Sequence, residues 1–172
     1  MNRQFKTWFA RERARALATV LLTRRDELTV EDGRPDSGLD FTVSVSHGNR
    51  PFGVAVAATI SPVAPEAVAR IVQPAVRAVQ TAGAFHFPVC IFFFTVKNDQ
   101  GCYAWVYEPR LTSAGEPRLA VHHGAHCQPL DDAALETILA SVNQWYDAFD
   151  AKISLPMAES APHSALASLP GK

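Results

Sequence analysis

The longest apolar stretch of the chain covers residues 87–96 and is rich in aromatic and β-branched side chains. Such side chains favour strands, and a strand without polar alternation is typical of the centre of a sheet that is covered on both faces. The stretch is about half as long as the roughly 20 residues that a membrane-spanning helix needs. We therefore predict a central buried strand and no association with a membrane.

The remaining sequence alternates between helical and strand patterns. Apolar residues at helical spacing predict three helices, over residues 3–23, from Pro65 to Gly83 with a kink or split at Pro74, and from Asp131 or Asp132 to Phe149. Period-two alternation between turn residues predicts further strands, at residues 27–31, 39–46, 52–60, 102–107 and 119–122. The fold class predicted from this order is α/β, with a central mixed sheet flanked by helices.

The composition indicates one globular domain with a cytoplasmic location. With 172 residues, 48% apolar and 19% charged, the chain can bury a substantial core, and its net charge of −1 gives no overall attraction to nucleic acid. Its three cysteines are odd in number and widely spaced, which predicts no disulfide framework, and no signal peptide is expected. We assign residues 1–153 to the domain and residues 154–172, rich in Ala, Ser and Pro, to a flexible tail.

Two consecutive strands carry the pattern with the most chemical content. The first, residues 38–45, has the carboxylate of Asp40 near its start, on the side opposite its apolar residues. The second, residues 52–59, places Ala55 and Ala57 on the face opposite its core residues, because alternate side chains of a strand point to opposite faces. Acidic and small side chains are thus expected to lie side by side on two paired strands.

These strands, followed by residues 87–94 and 103–109, resemble the PD-(D/E)xK, or restriction-endonuclease-like, superfamily over residues 3–150. Within it the chain is similar to a group of small bacterial domains of unknown function. The resemblance implies an Asp on one strand, then an acid or amide and a Lys two residues apart on the next, often with a Glu from the first helix. In active members this set holds Mg²⁺, which activates water against a phosphodiester.

Matched position by position, Asp40 corresponds to the strand Asp and Glu12 to the helix Glu. Ala55 and Ala57 take the positions of the second acid and the Lys, where neither can bind a metal or move a proton. No lysine lies between residues 6 and 97 that could replace the missing one. The resemblance therefore implies a pseudoenzyme in which Glu12 and Asp40 are vestiges, and no cofactor is expected.

The first helix combines two further patterns. One apolar stripe, which would face the core, carries Glu12 among its members Phe5, Trp8, Phe9, Ala16, Val20 and Leu21. Basic residues are concentrated in and just after the same helix, and five are candidates for binding phosphate or a partner: Arg11, Arg13, Arg15, Arg24 and Arg25. A solvated basic face is an equally simple interpretation of these arginines.

A short segment containing His122, His123, His126 and Cys127 resembles a set of metal ligands. Zinc sites normally draw their ligands from two separated segments of the chain. Cys102 would therefore have to be the ligand from the second segment. We interpret the segment as a solvated loop and predict no metal site.

We conclude from the sequence that a catalytically inactive, nuclease-like domain acts as a binding or assembly module. Its expected partner is a protein or a second copy of itself, with nucleic acid as the second choice. One alternative is a divergent Mg²⁺-dependent nuclease that uses Glu12 and Asp40 with acids from Glu31, Asp32 or Asp36. Another is a subunit of a larger machine that makes contacts through the basic helix and the tail.

Overall fold

A computed structural model describes residues 3–45, 49–83, 85–124 and 126–154, without the side chains of residues 3–6 and 154. The helices are α1 Arg3–Thr23, α2 Pro65–Ala82 and α3 Asp132–Ser154. The strands are β1 Leu28–Asp32, β2 Phe41–Val45, β3 Arg50–Thr59, β4 Val89–Thr95, β5 Gln100–Leu111, β6 Pro117–Val121 and β7 Gln128–Leu130. The predicted tail lies outside the described residues, except that α3 continues to Ser154.

The strands form one mixed sheet in the order β1-β2-β3-β4-β5-β6, and β7 pairs with another part of β5. All neighbours are antiparallel except β3 and β4, which are parallel and are connected through α2. A helical crossover is the usual way to join two parallel neighbours. The α/β class and the mixed sheet flanked by helices are therefore confirmed, whereas the short strand β7 was missed by the sequence prediction.

Strand β4 lies at the centre of the sheet, and every one of its residues is buried. Cys90, Phe92 and Phe94 pack in a cluster that contains residues of α1 and α3. Ile91 and Phe93 pack on the opposite face in a cluster that contains residues of α2. The prediction of a strand buried on both faces is confirmed, since helices cover both sides of the sheet. Within the described residues, no helix has both the length and the apolarity needed to cross a membrane.

Helix α1 packs on the sheet through small side chains, which corrects the sequence prediction of its core face. The fully or nearly fully buried positions are Ala10, Ala14, Ala18 and Leu22. The predicted stripe lies on another side of the helix, where Trp8, Phe9 and Val20 are exposed, and only Leu21 of its described members packs against the core. Alanines four residues apart allow the helix backbone to approach the sheet closely, and this packing decides which stripe is buried.

Helix α2 begins and ends close to the predicted residues, whereas α3 begins as predicted but continues beyond Phe149 to Ser154. In α2, Pro65 lies in the first turn and Gly83 follows the last residue with φ 136°, a conformation that favours glycine. Pro74 does not split α2, which is one continuous helix around an exposed proline. In α3, the carboxylate of Asp131 caps the N-terminus by accepting a hydrogen bond of 2.8 Å from the backbone N–H of Ala134.

Candidate functional site

A cavity of about 850 Å³ opens between α1, α2, the loop before β2 and the middle of β3. Its lining includes two arginines of α1, the carboxylate that precedes β2 and small side chains of β3 and α2: Arg11, Arg15, Asp40, Ala55, Ala57, Ala75 and Ala78. We call this cavity the Asp40 groove. The predicted nuclease-like positions of the two strands therefore do lie around one common cavity.

Asp40 is buried, with only 4% of its surface exposed, and both of its carboxylate oxygens accept hydrogen bonds. Oδ1 accepts from Arg15 Nη1 at 2.8 Å and from Arg11 Nη2 at 3.2 Å. Oδ2 accepts from the backbone N–H of Val56 on β3 at 2.7 Å. A buried charge is tolerated where opposite charges and hydrogen bonds compensate its lost hydration. Two guanidinium groups and one backbone amide provide that compensation here.

The loop before β2 positions this carboxylate through its own contacts. The backbone N–H of Asp40 donates to the Val54 carbonyl oxygen at 2.9 Å, and its own carbonyl accepts from the N–H of Gly33 at 2.9 Å. Gly38 adopts φ 72° and lies so close to α2 that a Cβ atom there would be 2.8 Å from the carbonyl carbon of Ala78. The loop is thus fixed to β3 on one side and to α2 on the other.

The four nuclease-like positions are not all brought together. Asp40, Ala55 and Ala57 line the groove, but Glu12 is exposed on α1 and is not part of the lining. The reason is the rotation of α1 described above, which directs Arg11 and Arg15 toward Asp40 and Glu12 to solvent. The prediction that Glu12 shares the core-facing stripe of α1 is therefore wrong.

The acids that a divergent nuclease could recruit lie in different surroundings. Asp36 lines the groove, whereas Glu31 is exposed on β1 and outside the lining. Asp32 is exposed and accepts a hydrogen bond from Arg15 Nη2 at 2.9 Å. Arg15 thus connects two carboxylates, those of Asp32 and Asp40.

The residues around Asp40 do not fit the magnesium site that the resemblance implies. Magnesium takes an octahedral shell of oxygen ligands, of which protein carboxylates normally supply one or two. The one buried carboxylate of the groove is already paired with two cationic groups, and Ala55 and Ala57 provide no side-chain oxygen. We therefore derive no catalytic step through a metal ion at this position.

The other candidate arginines lie outside the groove, and two of them contact acids of the same chain. Arg13 forms a bidentate ion pair with Asp99, with N–O distances between 2.7 and 3.1 Å. Arg25 donates to Glu136 Oε1 at 2.8 Å, and Arg24 is exposed just after the end of α1. Much of the positive charge of this region is therefore balanced within the fold, which could not be seen from the sequence because the acids are distant along the chain.

The histidines of the predicted loop have different contacts, although His122 and His126 line one small pocket. His122 Nε2 lies 2.7 Å from Glu108 Oε2, and His123 contacts Gln80. Burial alone would raise the pKa of Glu108, but hydrogen bonds from Arg110 and His122 lower it below its ordinary value. In the part of the chain that the structure describes, no group of three or more His, Cys, Asp or Glu side chains is arranged to hold a metal ion.

The Asp40 groove thus combines a set of mutual ion pairs with a floor of small apolar side chains. Such a surface can receive a ligand by shape and apolar contact without cleaving it. No family model, no curated protein and no solved structure matches this chain significantly.

Proposed function

We propose that this chain is a non-catalytic binding or assembly module of the PD-(D/E)xK superfamily, and that its partner is a protein, in the first place a second copy of itself. The observation that carries this proposal is an apolar stripe on the outer side of α1. Phe9, Ala16 and Val20 lie along one line of the helix and are exposed. We call these three residues the outer stripe.

The outer stripe is unusual for a solvated helix face. Large apolar side chains along one line of a surface helix commonly mark a contact with another protein. Phe9 is 49% exposed and Val20 is 48% exposed, although the same helix buries a separate stripe of alanines against the sheet. Helix α1 therefore carries exposed apolar residues on its outer side, next to Glu12 and Arg13, in addition to the alanines that it buries against the sheet.

The geometry of the outer stripe suits an isologous contact between two copies. Phe9 and Val20 are eleven residues apart, which corresponds to about 16 Å along a helix. In an antiparallel pair of α1 helices, Phe9 of each copy would cover Val20 of the other. The small side chain of Ala16 would lie near the crossing point, where it permits close approach.

The Asp40 groove supports the non-catalytic part of the proposal. The acid that corresponds to the nuclease Asp is neutralised by Arg11 and Arg15, and the neighbouring positions are the alanines 55 and 57. The order of helices and strands on which the superfamily resemblance rests is present in the fold, with further short strands after β5. Both observations favour a scaffold that has lost the nuclease site.

We expect the chain to form a dimer that dissociates on dilution, and Val20→Glu to weaken this dimer at least about tenfold, because the contact would then bury two carboxylates. Sedimentation velocity over a concentration series measures the effect. Val121→Glu is the matched control, since Val121 on β6 is 49% exposed, against 48% for Val20. A monomer at every concentration, or equal effects of both substitutions, would contradict the proposal.

The alternatives have less support from the same residues. Nucleic acid as partner requires free positive charge, but Arg11, Arg13 and Arg15 all contact acids. A divergent nuclease requires Glu12 beside Asp40, whereas Glu12 lies outside the groove. A subunit of a larger machine would make its contacts through the basic helix α1 and the tail, and a monomeric wild-type chain would favour that alternative.

A further inference from the structure

A second cavity, of about 770 Å³, lies between the start of α2, the beginning of β5 and the segment that leads into β7. Two of the three cysteines, Cys102 and Cys127, line it together with His126. Both are partly exposed, whereas Cys90 is fully buried on β4. The two thiols that reagents can reach therefore lie in one cavity, although 25 positions separate them along the chain.

The pairing of β5 with β7 holds the two cysteines near each other. Cys102 lies opposite Pro129 in the antiparallel ladder, and Cys127 comes two residues before Pro129. Cys127 directly precedes β7, in the position diagonal to Cys102, from which side chains can touch. The two thiol groups interact directly, and this interaction shifts the pKa of both.

The interaction between the thiols makes the two sulfur atoms chemically different. It stabilises a thiolate at Cys127 and so lowers the pKa of that thiol, although burial acts in the opposite direction. The same interaction, with burial as the second cause, raises the pKa of Cys102. Cys127 is therefore the first of the two to ionise, and Cys102 remains a thiol beside it.

We propose that Cys102 and Cys127 form a reversible thiol–disulfide site that is oxidised by hydroperoxides. The sulfur of the Cys127 thiolate attacks one oxygen of hydrogen peroxide, the O–O bond breaks, and the departing hydroxide takes up a proton to become water. Cys127 is then a sulfenic acid. The sulfur of Cys102 attacks the sulfur of Cys127, and the displaced hydroxide leaves as water with the proton of the Cys102 thiol.

In sum, two thiols lose two electrons and two protons, and one peroxide is reduced to two waters. The new bond would link β5 covalently to the residue that directly precedes β7, a strand that pairs with β5 at three residues. A disulfide of this kind is compatible with a reducing compartment, where the disulfides that do form are mostly transient. The proposal is independent of the outer stripe, because neither cysteine belongs to α1.

The test is oxidation of the full-length chain with hydrogen peroxide, followed by alkylation with N-ethylmaleimide under denaturing conditions and by mass spectrometry. We expect the reduced protein to take up three alkyl groups and the oxidised monomer one, with a peptide that links Cys102 to Cys127. Dithiothreitol should restore all three reactive thiols. Cys90→Ala is the matched control and should still lose two reactive thiols on oxidation.

The single cysteine variants separate the two roles. Cys102→Ser should stop at the sulfenic acid of Cys127, which dimedone traps, and Cys127→Ser should form no intramolecular disulfide. A wild-type chain that keeps three alkylatable thiols after oxidation would overturn the proposal. Linkage through Cys90, or only between two chains, would also overturn it. Circular dichroism of each variant confirms that loss of the reaction does not come from loss of the fold.

Discussion

Replacing Asp40 with alanine should lower the free energy of unfolding by about 2–3 kcal/mol, because hydrogen bonds to a charged group are lost and a buried amide loses its acceptor. The substitution removes both acceptors, one for Arg11 and Arg15 and one for the Val56 N–H. The arginines are partly exposed and can be rehydrated, so the cost is smaller than that of a charge stranded in the core. Urea denaturation at neutral pH measures the effect. The comparison requires that the slope of the free energy of unfolding against urea concentration is the same in both proteins.

Asp32→Ala is the matched control for this prediction. Asp32 also forms an ion pair with Arg15, but its side chain is 83% exposed. An exposed ion pair contributes about 0.2–1 kcal/mol, so this variant should remain close to the wild type. Similar losses in the two variants would show that burial of the Asp40 carboxylate does not govern its contribution.

Gly38→Ala should destabilise the protein by about 3 kcal/mol or more, because it combines backbone strain with a steric clash. Gly38 adopts φ 72°, and a Cβ atom there would lie 2.8 Å from the backbone nitrogen of Val79 on α2. The backbone of a helix cannot move aside as the end of a flexible side chain can. The loop must therefore shift, which would disturb Asp40 two residues later.

Gly115→Ala is the matched control for Gly38→Ala, because it introduces the backbone strain without the steric clash. Gly115 has nearly the same conformation, φ 78°, but no atom lies within 4 Å of the position that its Cβ would take. We expect a loss of about 1 kcal/mol, the cost of the left-handed conformation alone. The difference between the two midpoints of thermal or urea unfolding measures the contact of the loop with α2. Equal losses would mean that the loop moves freely away from the helix.

The sheet was predictable because its signals are local. Residues 87–96 are apolar at nearly every position, which indicates a central strand whatever surrounds it. The alternation in β2 and β3 also placed Ala55 and Ala57 on the correct side. The short strand β7 escaped prediction because three residues containing a proline carry too little pattern to distinguish them from a loop.

The site was only partly predictable because its contacts join residues that are distant along the chain. Helix α1 carries two apolar stripes, and the sequence alone favoured the one with larger side chains, which led to the wrong position for Glu12. The ion pairs of Arg11 and Arg15 with Asp40 depend on that rotation of the helix. The contact between Cys102 and Cys127 depends on a strand that was not predicted.

The central claim is that the Asp40 groove has lost the chemistry of a nuclease, and DNA cleavage in the presence of Mg²⁺ or Mn²⁺ tests it most directly. Wild-type protein and Asp40→Asn, whose fold is checked by circular dichroism, are incubated with plasmid and with single-stranded DNA. We predict that neither protein cleaves more than a control without protein, because Asp40 is already engaged by Arg11 and Arg15. Cleavage by the wild type that is lost in folded Asp40→Asn would contradict the account.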